Sequence, residues 1–255
     1  MEELFWKIVE NDKSDSTIVF LGDYLDPYPH EKITFEDALV NFEEIIDFAK
    51  DRKNVVLLVG NHDYHYYFRT GNLGWSRYNP KFASDAHTLF QDNKNLFTVA
   101  YQVENTLFTH AGVDSDWYKN CVENREGNVA TQLNNLFQTN PELFKIVSRS
   151  RGGWYPFGSP IWSDYDDIYF SDLLQNGKIR QIFGHTMGSI MRNYKNMYCL
   201  DCQKVLGLRI KKLKNINNFW CIGVGTILLD CLSRDSSLNL EYTAFKIIWN
   251  TFLFC

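Results

Sequence analysis

The sequence predicts an α/β protein built around a parallel sheet, and the pattern of its first elements leads to that prediction. Residues 17–21 and 55–59 are short apolar runs rich in β-branched side chains, which is typical of strands buried on both faces. Between them, Thr34 opens a segment with apolar residues at helical spacing, among them Phe42 and Ile46. Strand, helix and strand in this order predict a βαβ unit, whose two strands end at one edge of the sheet.

The elements that follow are predicted from the same kinds of pattern. Residues 96–103 and 106–109 flank a two-residue turn and predict a hairpin. Residues 115–148 lack strand patterns and predict helices, the last of which is opened by Pro141. Further strands are predicted at 179–183, 197–200 and 205–210.

Composition and charge exclude several classes of protein. The 255 residues are 45% hydrophobic, enough for one large domain, and no repeat or linker marks a boundary. A formal charge of -5 disfavours a surface that coats nucleic acid. Residues 1–7 carry acidic side chains where a secretory signal would be basic, and the apolar segment 219–232 is too short to span a bilayer and contains Asp230. We therefore expect a soluble, cytoplasmic protein with neither a nucleic-acid nor a membrane partner.

Four polar side chains come directly after predicted strands. They are Asp23, Asn61, His110 and His185, and glycines next to Asp23 and Asn61 allow the backbone to bend close to a ligand. Because open α/β sheets build their sites at the carboxyl ends of strands, we expect these side chains to lie together. One carboxylate, one amide and two imidazoles form a mixed ligand set suited to Mn²⁺, Fe or Zn²⁺.

In this order the motifs resemble those of the calcineurin-like metallophosphoesterase superfamily, in particular its phosphoprotein-phosphatase branch and bacterial relatives. The motifs of that branch are DxH, GDxxD, GNH(E/D), H(G/A)G and GH. The last four are found here as GDYLD, GNHD, HAG and GH, at 22–26, 60–63, 110–112 and 184–185. The resemblance covers residues 1–210 and implies a four-layer α/β/β/α sandwich. Residues 211–255 match nothing in the family and are predicted to be a C-terminal extension with no assigned role.

The resemblance also implies a pair of divalent metal ions. Asp23 would bridge the two ions, and Asn61, His110 and His185 would complete the second metal site. Such ions activate a water molecule and neutralise the phosphoryl oxygens during attack, so that no covalent phosphoenzyme is needed.

Catalytic and substrate-binding roles follow from the same resemblance. His62 corresponds to the histidine that protonates the leaving oxygen, and Asp26 to the carboxylate that hydrogen-bonds it. The arginine expected after GDxxD is replaced by Pro27. Arg149 and Arg151 are the available substitutes, and Arg151 is favoured as a bidentate phosphate contact over a solvated surface arginine.

The first motif of the family has no counterpart in the expected place. DxH should end a first strand just before a helix, but residues 5–9 resemble that helix and only 1–4 precede it. The segment 63–65 fits DxH but adjoins Asn61, so we interpret it as an unrelated match. We expect a fold that lacks the first strand, either because the sequence starts at a downstream Met or because the copy has diverged. Only the second metal site would then be complete, and activity would be weakened; adding a strand with DxH should confer Mn²⁺-dependent activity.

Three functions stay open at this point. The first is a metal-dependent phosphomonoesterase, similar to protein serine/threonine phosphatases, acting on a phosphorylated protein or a small phosphoester. The second is a hydrolase of nucleotide or dinucleotide polyphosphates. The third is a catalytically degenerate binding module with the same fold. The sequence indicates neither the substrate nor the oligomeric state.

Overall fold

The computed structural model describes residues 17–71, 76–188 and 192–201, together with the backbone of three later strands. Residues 5–9, which resemble the helix that follows DxH, lie outside the described residues, as does most of the segment 211–255. The strands are β1 (Thr17–Phe20), β2 (Val55–Leu58), β3 (Phe97–Thr98), β4 (Ala100–Val103), β5 (Thr106–Thr109), β6 (Arg180–Phe183), β7 (Arg192–Tyr194), β8 (Met197–Cys199), β9 (Leu206–Ile210), β10 (Phe219–Ile222) and β11 (Leu240–Ala244).

The α-helices of the described residues are short, apart from the first. They are α1 (Phe35–Lys50), α2 (Asn61–Tyr67), α3 (Ala83–Asp92), α4 (Ser115–Cys121), α5 (Val129–Thr139) and α6 (Tyr165–Phe170). A 3-10 helix starts at Pro141, as predicted. None of these helices is both long enough and apolar enough to cross a membrane.

The first sheet has the order β10, β1, β2, β3 and is parallel throughout. β1, α1 and β2 form the predicted βαβ unit. The Thr34 side chain accepts the N–H of Asp37, and the Asp37 carboxylate accepts the N–H of Thr34, so the helix starts where the capping pattern predicted.

β10 comes from the segment predicted to be an extension. It lies parallel to β1, with Trp220 opposite Ile18. β1 therefore has a parallel neighbour on each side, and its backbone groups are not left at an open edge. The division of the chain at residue 210 stays a prediction.

The second sheet has the order β4, β5, β6, β8, β7 and mixes parallel and antiparallel pairs. The hairpin of β4 and β5 confirms the predicted turn, but the single strand predicted at 96–103 is wrong. β3 pairs with β2 in the first sheet, whereas β4 pairs with β5 in the second. Between them Val99 is buried, and the side chain of Asn134 accepts the N–H groups of Val99 and Ala100. This contact lets the chain pass between sheets without a buried unpaired donor.

The two sheets pack face to face with helices outside them. Alternate side chains point inward, and one buried cluster joins Val19 and Leu58 of the first sheet to Phe108 and Ile182 of the second. On the outer face of the first sheet lies the apolar side of α1, and on that of the second lies α6, where Ile168 packs with Phe183. The resulting layer order confirms the predicted α/β/β/α sandwich.

Candidate active site

The four predicted ligand residues lie at the carboxyl ends of strands in both sheets. Asp23 and Asn61 follow β1 and β2 in the first sheet, and His110 and His185 follow β5 and β6 in the second. Because the inner faces of the sheets are packed together, the loops after these strands meet at one end of the sandwich.

The backbone at this end of the sandwich adopts conformations that L-residues seldom populate. Asp23, Asp26 and His185 have φ angles of 62°, 61° and 67°, in the left-handed region. Gly60 approaches so closely that a Cβ there would lie 2.2 Å from Oδ1 of Asp23. Left-handed non-glycine residues cost about 1 to 3 kcal/mol each. The surrounding packing must offset that cost at these three motif residues.

His110 is the centre of the ligand cluster. Its Nδ1–H donates to the carbonyl of Leu21 at 2.7 Å, which directs the Nε2 lone pair the other way. Nε2 lies 3.0 Å from Oδ1 of Asn61, 3.0 Å from Nδ1 of His185 and 3.4 Å from Oδ2 of Asp23. One donor atom from each of Asp23, His110 and His185 can be chosen so that all three lie within 4.8 Å of one another. The structure thus brings all four predicted ligands together.

The electrostatics of this cluster fit a cation. Burial lowers the pKa of His110, and burial together with Arg151 lowers the pKa of His185 well below its usual range. Both imidazoles are therefore neutral near pH 7, so the lone pair on Nε2 of His110 faces the acceptor oxygens of Asn61 and Asp23. A divalent ion would satisfy these groups, and a set of one carboxylate, one amide and two imidazoles suits Mn²⁺, Fe or Zn²⁺.

His62 and Asp26 form a buried pair next to this cluster. Nδ1–H of His62 donates to Oδ2 of Asp26 at 3.1 Å, and the backbone N–H of His62 donates to Oδ1 of Asp23 at 3.1 Å. Burial opposes a charged imidazole, but the charge of Asp23 and the hydrogen bond to Asp26 outweigh it and raise the pKa of His62. The geometry leaves Nε2 of His62 as the ring nitrogen that can give a proton to a ligand.

Tyr66 supports this pair from behind, a role that the sequence did not predict. Its hydroxyl donates to Oδ1 of Asp26 at 2.5 Å and accepts the N–H of Asn79 at 2.7 Å. Both oxygens of the Asp26 carboxylate are therefore occupied. The spacing of four residues between His62 and Tyr66 places both on one face of α2, and this was the available signal.

Asp63 ties the loops after β1 and β2 together. Its carboxylate accepts the backbone N–H groups of Gly60 at 2.8 Å, Asp23 at 2.6 Å and Tyr24 at 2.9 Å. Burial and the charge of Asp23 raise the pKa of Asp63 to about 7. Within the segment 63–65, Asp63 thus contacts backbone, and His65 hydrogen-bonds Thr70 at 3.0 Å. Neither side chain joins the ligand cluster.

The two predicted phosphate-binding arginines are placed differently. Arg151 donates through Nη1 to Asp164 at 3.4 Å and through Nη2 to the carbonyl of His185 at 3.2 Å. Its guanidinium therefore lies against a loop of the ligand cluster. Arg149 is exposed, and its backbone N–H pairs with the carbonyl of Tyr155. Among the described residues, no contact joins its side chain to the cluster.

Comparison with known proteins agrees with this geometry. The family model of the calcineurin-like phosphoesterases matches residues 1–189, a range that includes all four strand-end motifs. A comparison with curated proteins finds no match. Since the family model covers most of the chain, the protein belongs to the calcineurin-like phosphoesterase family.

Proposed function

We propose that this protein hydrolyses phosphomonoesters, with a phosphorylated protein or a small phosphoester as its substrate class. The family is one of metal-dependent phosphoesterases in general. The observation that carries the narrower proposal is the proton-donor pair of His62 and Asp26 beside the ligand cluster. Hydrolysis of a monoester needs both the ligand cluster and the proton donor, because water must attack phosphorus while the leaving oxygen gains a proton.

Asp23, Asn61, His110 and His185 would hold the metal. A divalent cation supplies a bound water of lowered pKa and neutralises charge on the phosphoryl oxygens. Asp23 contributes twice, because Oδ2 faces His110 while Oδ1 accepts the N–H of His62. It thereby fixes the distance between the ligand cluster and the proton donor.

His62 would protonate the leaving oxygen from Nε2. Serine and threonine alkoxides are strong bases, so their departure depends on such a donor. Asp26 keeps the ring oriented through Nδ1 and stabilises its charged form. Arg151, held by Asp164 and by the carbonyl of His185, would offer its guanidinium to an oxygen of the phosphoryl group.

The test combines metal analysis with three substrates. The purified protein, supplied with Mn²⁺, Fe²⁺ or Zn²⁺, should hydrolyse p-nitrophenyl phosphate and a phosphoserine peptide faster than a diadenosine polyphosphate. His62→Asn should lower kcat for the peptide by about 10² to 10⁴. The loss on p-nitrophenyl phosphate should be smaller, because nitrophenolate leaves without a proton. Asn135→Ala removes an exposed side chain from α5 and is the control.

Other outcomes would overturn the proposal. Hydrolysis of the polyphosphate alone would favour the nucleotide-directed alternative. A protein that binds no metal and turns over none of the three substrates would favour a binding module. Equal losses on the peptide and on p-nitrophenyl phosphate would remove His62 from the role of proton donor.

A further inference from the structure

Arg77 reaches the site from the loop between α2 and α3. Its Nε donates to the backbone carbonyl of Asp26 at 2.9 Å, and its Nη2 donates to the same oxygen. The guanidinium carbon also lies 3.5 Å from the centre of the Tyr28 ring. These two contacts fix both the position and the plane of the guanidinium.

The charge of Arg77 is not cancelled by an ion pair within the described part of the chain. Its acceptor is a main-chain carbonyl rather than a carboxylate, and its Nη1 has no hydrogen-bond partner among the described residues. The side chain is only half-buried, so part of it is exposed to solvent.

We propose that Arg77 is a second oxyanion-binding guanidinium, which acts with Arg151 on the phosphoryl group of the substrate. The two arginines are anchored on carbonyls of different ligand loops, Arg151 on His185 from the second sheet and Arg77 on Asp26 from the first. The residue after Asp26 is Pro27, which carries no charge. Arg77 thus brings a guanidinium to the loop where position 27 provides no cation.

This inference rests on the proposed function, because it assigns Arg77 to the same substrate. The competing role is purely structural, with Arg77 only bracing the loop that carries Asp26. A purely structural role needs the two hydrogen bonds to the carbonyl of Asp26 but does not need the unpaired Nη1. Affinity for an oxyanion therefore separates the two roles, whereas stability alone does not.

Isothermal titration with inorganic phosphate, in the presence of Mn²⁺, measures that affinity. Arg77→Gln should weaken phosphate binding by about tenfold or more, the size expected for a charge-assisted hydrogen bond. Arg77→Lys should recover part of the affinity, since it keeps the charge without the planar fork. Arg125→Gln is the matched control, because Arg125 also lies over a tyrosine ring, that of Tyr118, and donates to its carbonyl.

A measurement on the wild-type protein covers the case in which the variants fold poorly. Phenylglyoxal labels accessible arginines, and inorganic phosphate should protect Arg77 but leave Arg125 reactive. Unchanged labelling of Arg77, phosphate affinity of Arg77→Gln within twofold of wild type, or no phosphate binding by the wild type would each overturn the inference.

The inference and the proposed function can fail separately. Arg77-dependent phosphate binding without any phosphoester hydrolysis would keep the inference and overturn the function. Hydrolysis of monoesters with the same KM in wild type and Arg77→Gln would keep the function and overturn the inference.

Discussion

At the scale of residues, the proton donor depends on groups that never touch the substrate. His62 is oriented by Asp26, and Asp26 is oriented by the hydroxyl of Tyr66, which is itself held by the N–H of Asn79. Each of these hydrogen bonds fixes the group that makes the next one. Loss of one link therefore leaves a buried polar group without a partner, which costs about 1 to 3 kcal/mol.

We predict that Tyr66→Phe lowers activity by loosening Asp26. Without the hydroxyl, Oδ1 of Asp26 loses its donor and the carboxylate can rotate away from His62. The kcat for a phosphoserine peptide should fall more than that for p-nitrophenyl phosphate, because only the peptide needs the proton. Tyr67→Phe is the control, since the Tyr67 hydroxyl pairs with Gln138 instead. Equal losses on both substrates would argue against this positioning role.

The pKa of His65 leads to a prediction of how the stability of the protein changes with pH. Burial and the charge of His62 lower the pKa of His65 from 6.5 to about 4. Because the folded pKa lies below the unfolded one, the unfolded chain binds the proton first, and stability is lost as the pH falls through this window. The loss is about 3 kcal/mol at most, because each tenfold difference in proton affinity between the two states corresponds to about 1.4 kcal/mol.

Urea unfolding of metal-free protein, from about pH 7 to about pH 4, tests this prediction. His65→Asn should show a shallower fall in the free energy of unfolding than wild type. Part of the fall in the free energy of unfolding should persist in His65→Asn, because the pKa values of His110 and His185 are lowered too. The same slope in both proteins would show that His65 does not contribute.

At the scale of elements, the site depends on a close approach between the turns after β1 and β2. A Cβ on Gly60 would lie 2.2 Å from Oδ1 of Asp23 and 2.6 Å from its backbone N. Gly60→Ala must therefore push Asp23 out of the cluster. We expect a loss of about 1 to 3 kcal/mol in stability, together with much weaker Mn²⁺ binding by calorimetry.

Gly184→Ala is the matched control for this substitution. Gly184 also follows a strand of the site, but its nearest neighbour to an added Cβ is Leu21 at 3.7 Å, an ordinary contact. The Gly184→Ala variant should therefore keep a Mn²⁺ affinity and a free energy of unfolding close to those of wild type. If Gly60→Ala binds Mn²⁺ as well as Gly184→Ala does, the close approach is not what positions Asp23.

The sequence predicts β1, α1 and β2 well because their patterns are local. Apolar periodicity and the capping residues around Thr34 are enough to place them. The apolar pattern at 96–103 wrongly predicted one strand, because such a pattern indicates burial but not the sheet to which each part of the segment belongs. Here β3 pairs in the first sheet and β4 in the second. The order of the motifs anticipated the grouping of the ligands, whereas Arg77 could not be found, because its contacts with Asp26 and Tyr28 join residues distant in sequence.

At the scale of the whole molecule, the site is shared between two sheets. Asp23 and Asn61 follow strands of the first sheet, and His110 and His185 follow strands of the second. Any change that shifts one sheet against the other therefore separates the ligand atoms. The neighbours of β1 are important for this reason, because β1 carries the Asp23 loop.

We predict that the strand at 219–222 supports the first sheet. Its removal would leave the backbone of β1 unpaired along the register that joins Ile18 to Trp220. A chain that ends at residue 210 should therefore lose on the order of 2 to 5 kcal/mol of unfolding free energy, from several hydrogen bonds of about 1 kcal/mol each and the packing they maintain. A chain that ends at residue 235 is the control, because it keeps β10 and, of the described strands, loses only β11, which pairs with β9. In urea unfolding, the 210 chain should have the lower midpoint and the 235 chain a midpoint near that of the full protein. Equal midpoints for the 210 chain and the full protein would instead favour a division of the chain at residue 210, with the first sheet complete without β10.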